Sequence, residues 1–105
     1  MKINLLATKI TLTPAISQYV QEKIGMLEKY LGDTPVTNCD VEVSKVGGDQ
    51  VKGDIFKAEV NLSIPGTLLR VEKTASDLYK AIDKVKDHMP EIIVEHREKK
   101  RNQKR

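Results

Sequence analysis

The sequence predicts an α+β domain of order β-α-β-β-β-α, a four-stranded sheet with two helices packed on one face. Three observations predict it. Two segments repeat apolar residues every three or four positions, which lines one side of a helix. Others alternate apolar and polar residues with period two, which gives a strand one dry and one wet side. Links between the second, third and fourth strands are short, which requires antiparallel neighbours, whereas the first strand returns through a helix as a crossover unit. With 105 residues the chain has room for one core. Residues 1–96 are expected to form that single domain and 97–105 a flexible basic tail.

The first strand is placed at Met1 to Ala7, with Ile3, Leu5 and Ala7 on one side. Thr13-Pro14 starts the first helix, because Thr supplies a capping oxygen and Pro loses no needed N–H at the first helical position. Ile16, Val20, Ile24, Leu27 and Leu31 form its stripe up to a Gly32 cap, followed by Pro35. Gly25 falls inside this pattern at a cost of about 1 kcal/mol relative to Ala, which predicts close approach of a neighbouring element. Cys39, Val41 and Val43 mark the second strand, and a connection is expected from Gly47-Gly48-Asp49 to Gly53. Phe56, Ala58, Val60, Leu62 and Ile64 give the clearest strand. Pro65-Gly66 suits a tight turn, and Leu69 and Val71 carry the fourth strand to about Lys73. The outer sheet face, with Asp40, Glu42, Lys57, Glu59 and Asn61, is expected to stay wet.

The second helix is expected to be capped by Ser76 or Thr74, with Asp77 in its first turn. Leu78, Ile82, Val85, Met89 and Ile93 form its stripe, and Lys80, Lys84 and His88 project roughly opposite. Pro90 removes a backbone bond and clashes one turn back, which predicts a kink or restart costing ~3 kcal/mol. Beyond Arg97 the run REKKRNQKR has no apolar face and is expected to fray.

Composition narrows the chemistry. Hydrophobic residues make up 39% and charged residues 31%, enough for a modest core. One cysteine makes no internal disulfide and no zinc motif, and Cys39 reads as a buried small hydrophobe rather than a nucleophile. No apolar run is long enough for a membrane helix and no signal-peptide pattern follows Met1-Lys2, so a reducing, cytoplasmic setting is expected. Phosphate-loop, HExxH and GxSxG motifs are absent. His88 and His96 are poorly spaced for a shared metal and read as surface histidines. Asp77 and Asp83 invite an acid–base reading, but Asp77 favours a helix start and Asp83 lies three residues from both Lys80 and Lys86. Neither an enzyme nor a cofactor is expected.

The formal charge of +3 is unevenly placed. Residues 1–72 carry eight basic against nine acidic side chains, whereas 73–105 carry ten against six. The terminal nine hold six basic residues and only Glu98. Such an end can track phosphates with salt-dependent affinity, or merely solvate a helix and complement its dipole; composition leaves the two level. Phe56 falls on the inward face, and no aromatic platform for single-stranded bases is visible.

Three stretches carry a resemblance. Leu12-Thr13-Pro14-Ala15-Ile16 leads to Tyr19-Val20, Lys23 and Leu27-Glu28-Lys29-Tyr30-Leu31. A long alternating strand ends at a turn before Leu69-Arg70-Val71-Glu72. The most specific stretch is Ala75-Ser76-Asp77-Leu78-Tyr79-Lys80-Ala81-Ile82-Asp83, followed by a basic terminus. Together, over residues 2 to about 101, they resemble the ribosome hibernation promoting factors, a family that includes ribosome-associated inhibitor A and was once called sigma-54 modulation protein. The resemblance implies a fold shaped like double-stranded RNA-binding domains. It also implies binding to rRNA in the decoding channel of the small ribosomal subunit, in competition with messenger RNA and with A- and P-site transfer RNA. Inhibition of translation in idle cells is then steric. The basic residues carried over are Lys80, Lys84 and Lys86, with Lys23 and Lys29 on the first helix and, more loosely, Arg97, Lys99, Lys100 and Arg101. Pro90, Glu91 and Glu95 depart from the family's pattern in the last helix. Long forms of the family continue into a dimerisation domain, so a chain of this length is not expected to pair ribosomes through one. The competing expectation is a protein–protein regulatory adaptor that uses the wet sheet face or an open strand edge.

Overall fold

A computed structural model describes residues 1–49 and 53–103. The elements are β1 (Asn4–Thr8), α1 (Pro14–Gly25), α2 (Glu28–Leu31), β2 (Asn38–Asp49), β3 (Gly53–Ile64), β4 (Thr67–Ala75) and α3 (Leu78–Gln103). The strands lie in chain order, β1 parallel to β2 and every later pair antiparallel. The β1–α1–β2 crossover and the two hairpins are those the link lengths predict. β1 begins later than expected, although Ile3 is still buried.

One sheet face carries the core. Cys39, Val41 and Val43 of β2 and Ala58, Val60, Leu62 and Ile64 of β3 are buried against Val20 and Ile24 of α1 and Ile82, Val85, Met89 and Ile93 of α3. Burial pushes the Cys39 thiol up to about 11, as befits a small hydrophobe rather than a nucleophile. The expected connection from Gly47 to Gly53 is instead strand. β2 runs to Asp49, pairing Asp49 with Gly53, and a register shift between Lys45 and Gly47 marks a bulge. Residues 50–52, the middle of that connection, lie outside the described residues. β4 likewise continues past Lys73 to Ala75.

The helices depart from expectation in three places. First, the 14–31 stripe is split: α1 stops at Gly25, Leu27 N–H donates to the Ile24 carbonyl at 3.0 Å, and α2 adds one turn. Val20, Ile24, Leu27 and Leu31 are nonetheless all buried, because the turn keeps them on one side. Gly25 answers no close approach, since a Cβ there meets nothing within 4 Å; it marks a helix end. The close approach is at Gly32, where φ is 59° and a Cβ would lie 3.1 Å from an Arg97 guanidinium nitrogen. Gly32→Ala is therefore expected to cost roughly 1–3 kcal/mol in urea unfolding. Gly25→Ala should be neutral or stabilising by up to about 1 kcal/mol.

Second, α3 is capped by Asp77, whose Oδ1 accepts from Tyr79 N–H at 2.7 Å, rather than by Ser76 or Thr74. Third, α3 passes through Pro90 as a single 26-residue helix, so no restart is seen there, and its helical turns extend past Arg97 to Gln103. Val85 and Met89 before the proline and Ile93 after it are buried, which fastens both halves to the sheet and offsets the lost backbone bond. Lys104 and Arg105, which end the expected tail, lie outside the described residues.

Candidate nucleic-acid interface

The basic residues of α3 do not form one patch. Lys80 and Lys84, one turn apart, share a flank; Lys86, two residues on, leaves the helix from the other side. Lys84 reaches β4, where its Nζ donates to the Thr74 carbonyl at 2.9 Å. There it lines a groove with Glu72, Lys73, Asp87, His88 and Glu91. Lys86 turns toward α1 and α2 and lines a cleft with Met26, Lys29, Tyr30 and Pro90. Its Nζ lies 3.0 Å from Asp87 Oδ1, and that hydrogen bond raises the lysine's pKa.

The lysines of the first helical segment rest on aromatic faces. Lys23 Nζ is 5.4 Å from the Tyr19 ring centroid and Lys29 Nζ 5.2 Å from that of Tyr30. The cleft therefore brings Lys29 and Lys86 together, with Lys23 further along α1 and Lys80 exposed at the start of α3. Arg97 has a different role from the one expected. Its Nη1 donates to the Tyr30 carbonyl at 2.8 Å, satisfying a carbonyl of the short α2 that has no partner within the helix. Lys99 pairs with Glu95 at 3.5 Å, while Lys100 and Arg101 are exposed on the last described turns of α3.

Two side chains were misjudged by local spacing. Asp83 is not held between Lys80 and Lys86; its Oδ1 accepts from the Tyr19 hydroxyl at 2.6 Å. That bond, with desolvation and the carboxylate's charge, pushes the Tyr19 phenol up to about 12. His88 is half-buried rather than fully at the surface, its Nδ1 enclosed without a hydrogen-bond partner among the described residues. Tyr79, assigned no role by the sequence, is exposed beside Tyr19. Its signal was its place one residue off the apolar stripe.

Tyr19→Phe tests the Asp83 bond. The neutral phenol is the donor, so its contribution of about 1 kcal/mol is complete below pH 10, where the unfolded side chain is also neutral. It is lost as pH rises from there through about 12. Unfolding curves of the two proteins should converge over that window.

The opposite sheet face has another character. Asp40, Glu42, Glu59 and Glu72 outnumber Lys57 and Arg70 there, and several of these charges are paired with each other. Arg70 meets Glu59 at 2.8 Å, and Lys57 lies 3.9 Å from Glu42 and 3.7 Å from Glu72. Hydrogen bonds from Asn61 and Arg70 hold Glu59 below the usual carboxylate range. Among the described residues no group of three or more His, Cys, Asp or Glu could hold a metal ion, and no helix is long and apolar enough to cross a membrane.

Comparison with known proteins places this geometry among relatives. The family model described as Sigma 54 modulation protein / S30EA ribosomal protein matches residues 3–101. The chain is 30% identical over 89 residues to a ribosome hibernation promotion factor of Staphylococcus aureus (strain COL), covering 85% of this chain and 44% of that protein. It is 33% identical over 97 residues to one of Lactococcus lactis subsp. cremoris (strain MG1363), covering 89% of this chain and 48% of the other. The chain thus spans about half the length of these curated relatives. The crystal structure of the Protein Y N-terminal domain from Thermus thermophilus superposes with a TM-score of 0.76 at 32% identity, covering 91% of this chain and 99% of that one. A ribosomal subunit interface protein from Coxiella burnetii shares the fold, with a TM-score of 0.71 at 15% identity over 92% of this chain and 98% of its own.

Proposed function

Because the chain belongs to the Sigma 54 modulation protein / S30EA ribosomal protein family, we propose that it is a non-enzymatic ribosome hibernation factor that binds rRNA of the small subunit. It fills the decoding channel there and blocks messenger RNA and A- and P-site transfer RNA, stopping initiation without making or breaking a bond. The observation that carries this reading is the division of charge between the two layers. The three helices carry nine Lys and Arg against seven Asp and Glu, a surplus of two cations, while the open sheet face holds four carboxylates against two cations. RNA attracts the first layer and repels the second, so the helices face the rRNA.

The test is sedimentation and translation. In a low-salt gradient the protein is expected to migrate with small subunits and to leave them at high salt. A purified translation system is expected to lose initiation when it is added. Finding the protein only at the top of the low-salt gradient defeats the proposal.

One observation favours the adaptor reading. Leu6 and Leu68, at 60% and 59% exposure, point outward from the sheet on its two edge strands. A partner seated on that face is expected to stay bound at high salt and to ignore loss of the helical lysines. The paired carboxylates between the two leucines weigh against it.

A further inference from the structure

We propose that Tyr79 is a stacking surface for one unpaired nucleobase of the bound RNA; this assignment rests on the RNA-binding reading above and adds a base contact to its phosphate contacts. Tyr79 is 37% exposed, directly after the buried Leu78. A large ring left in water forgoes burial that would stabilise the fold. Yet this ring is held. Tyr19 meets it edge to face, centroids 4.8 Å apart and planes at 88°. Tyr19 is itself fixed by its hydroxyl bond to Asp83 at 2.6 Å. The Tyr79 backbone is pinned by its N–H bond to Asp77 at 2.7 Å. An aromatic side chain with its motion already restricted loses little entropy when a flat ligand settles on it.

The surrounding charge identifies the ligand. Lys23 lies over the Tyr19 ring and the exposed Lys80 follows Tyr79 in the chain, so a cation stands on either side of the aromatic pair, with the Asp77 and Asp83 carboxylates engaged by the Tyr79 N–H and the Tyr19 hydroxyl between them. That combination suits single-stranded RNA, with phosphates on the lysines and a base on the ring. The helix terminus itself is not open to a phosphate. Asp77 Oδ1 already accepts from Tyr79 N–H and, at 3.4 Å, from Lys80 N–H, and its negative charge opposes an anion. What this place can take is the uncharged face of a base.

Two measurements test the assignment. Affinity for purified bacterial small subunits is compared across salt for wild type, Tyr79→Phe and Tyr79→Leu, with circular dichroism melts as the folding check. The Phe variant is expected to bind as wild type. The Leu variant is expected to bind about ten- to a hundredfold more weakly at every salt concentration, leaving the salt slope unchanged. Leu binding like wild type, or Phe failing as Leu does, overturns the stacking role while leaving rRNA binding intact. Failure of the wild-type chain to bind subunits overturns the RNA reading and this assignment with it.

The second measurement does not depend on the Leu variant folding. The chain has no tryptophan, so Tyr79→Trp places a lone reporter at the site. A single-stranded oligoribonucleotide of about 12 nucleotides is expected to quench it saturably, and an abasic oligomer with the same phosphates is not. Equal responses to the two oligomers, or no response to either, overturn the assignment.

Discussion

Replacing Lys29, Lys80 and Lys86 together by glutamine is expected to weaken small-subunit binding by about two orders of magnitude near 0.1 M salt. The slope of log affinity against log salt should flatten by roughly two to three units, because each lost phosphate contact releases about 0.7–0.9 fewer counterions. The effect is large because the contacts add in the exponent and none of the three residues belongs to the core. Lys29 and Lys86 share one cleft and Lys80 stands on the other flank of α3, so the substitutions remove charge from two separate places on the helical layer. Lys84→Gln alone is expected to flatten the slope by at most about one unit, since one ammonium meets at most one phosphate and this one is turned toward the Thr74 carbonyl of β4, away from the cleft. Arg97→Gln should lower stability with little effect on slope. Titration of labelled protein into small subunits at several salt concentrations measures the slopes and urea unfolding the Arg97 stability loss, and an unchanged slope for the triple variant would assign those lysines to solvation.

The second large effect is in the core. Ile82→Ala is expected to cost about 2–5 kcal/mol, the range for removing a buried aliphatic side chain whose site relaxes only partly. The isoleucine is fully buried where α3 crosses the sheet, packed within a single cluster that also includes Val60 and Leu62. For a domain of this size each kcal/mol lowers the melting temperature by about 4–8 °C, so thermal unfolding is expected to shift by ten degrees or more. A shift of only one or two degrees would mean that α3 contributes little to the stability of the sheet.

The fold was legible because its strands alternate and its helices carry one-sided stripes. Cys39, Val41 and Val43, or Ala58, Val60, Leu62 and Ile64, can only be buried together if β2 and β3 present one face to the helices. What failed were readings that treated each residue locally. Pro90 carries a penalty that any sequence reader can state, but the buried residues on both sides of it depend on tertiary packing. Gly32 keeps the capping role expected of it, at φ 59° after α2, and also takes the close approach expected of Gly25, since only the assembled chain brings Arg97 against it.

The site was legible in residue type more than in partnership. That lysines gather on the helices follows from the chain itself. That Lys86 faces α2 while Lys84 reaches β4 follows only once α3 is seated. Arg97 looked like one more cation of a basic end, and its partner lies 67 residues away in sequence. Asp83 bonds to a tyrosine 64 residues distant, which no helical spacing rule could indicate.

The contact between Arg97 and the Tyr30 carbonyl has a consequence for how α3 opens. Upstream of it, buried Val85, Met89 and Ile93 tie the backbone amides to the core, so their hydrogen exchange requires opening on the scale of the whole domain. Downstream, the exposed residues Glu98–Arg101 have helical bonds but no apolar contact to hold them, and the last turns can unwind alone. Protection is therefore expected to fall sharply just after Arg97, and in Arg97→Gln the drop should move back toward Ile93.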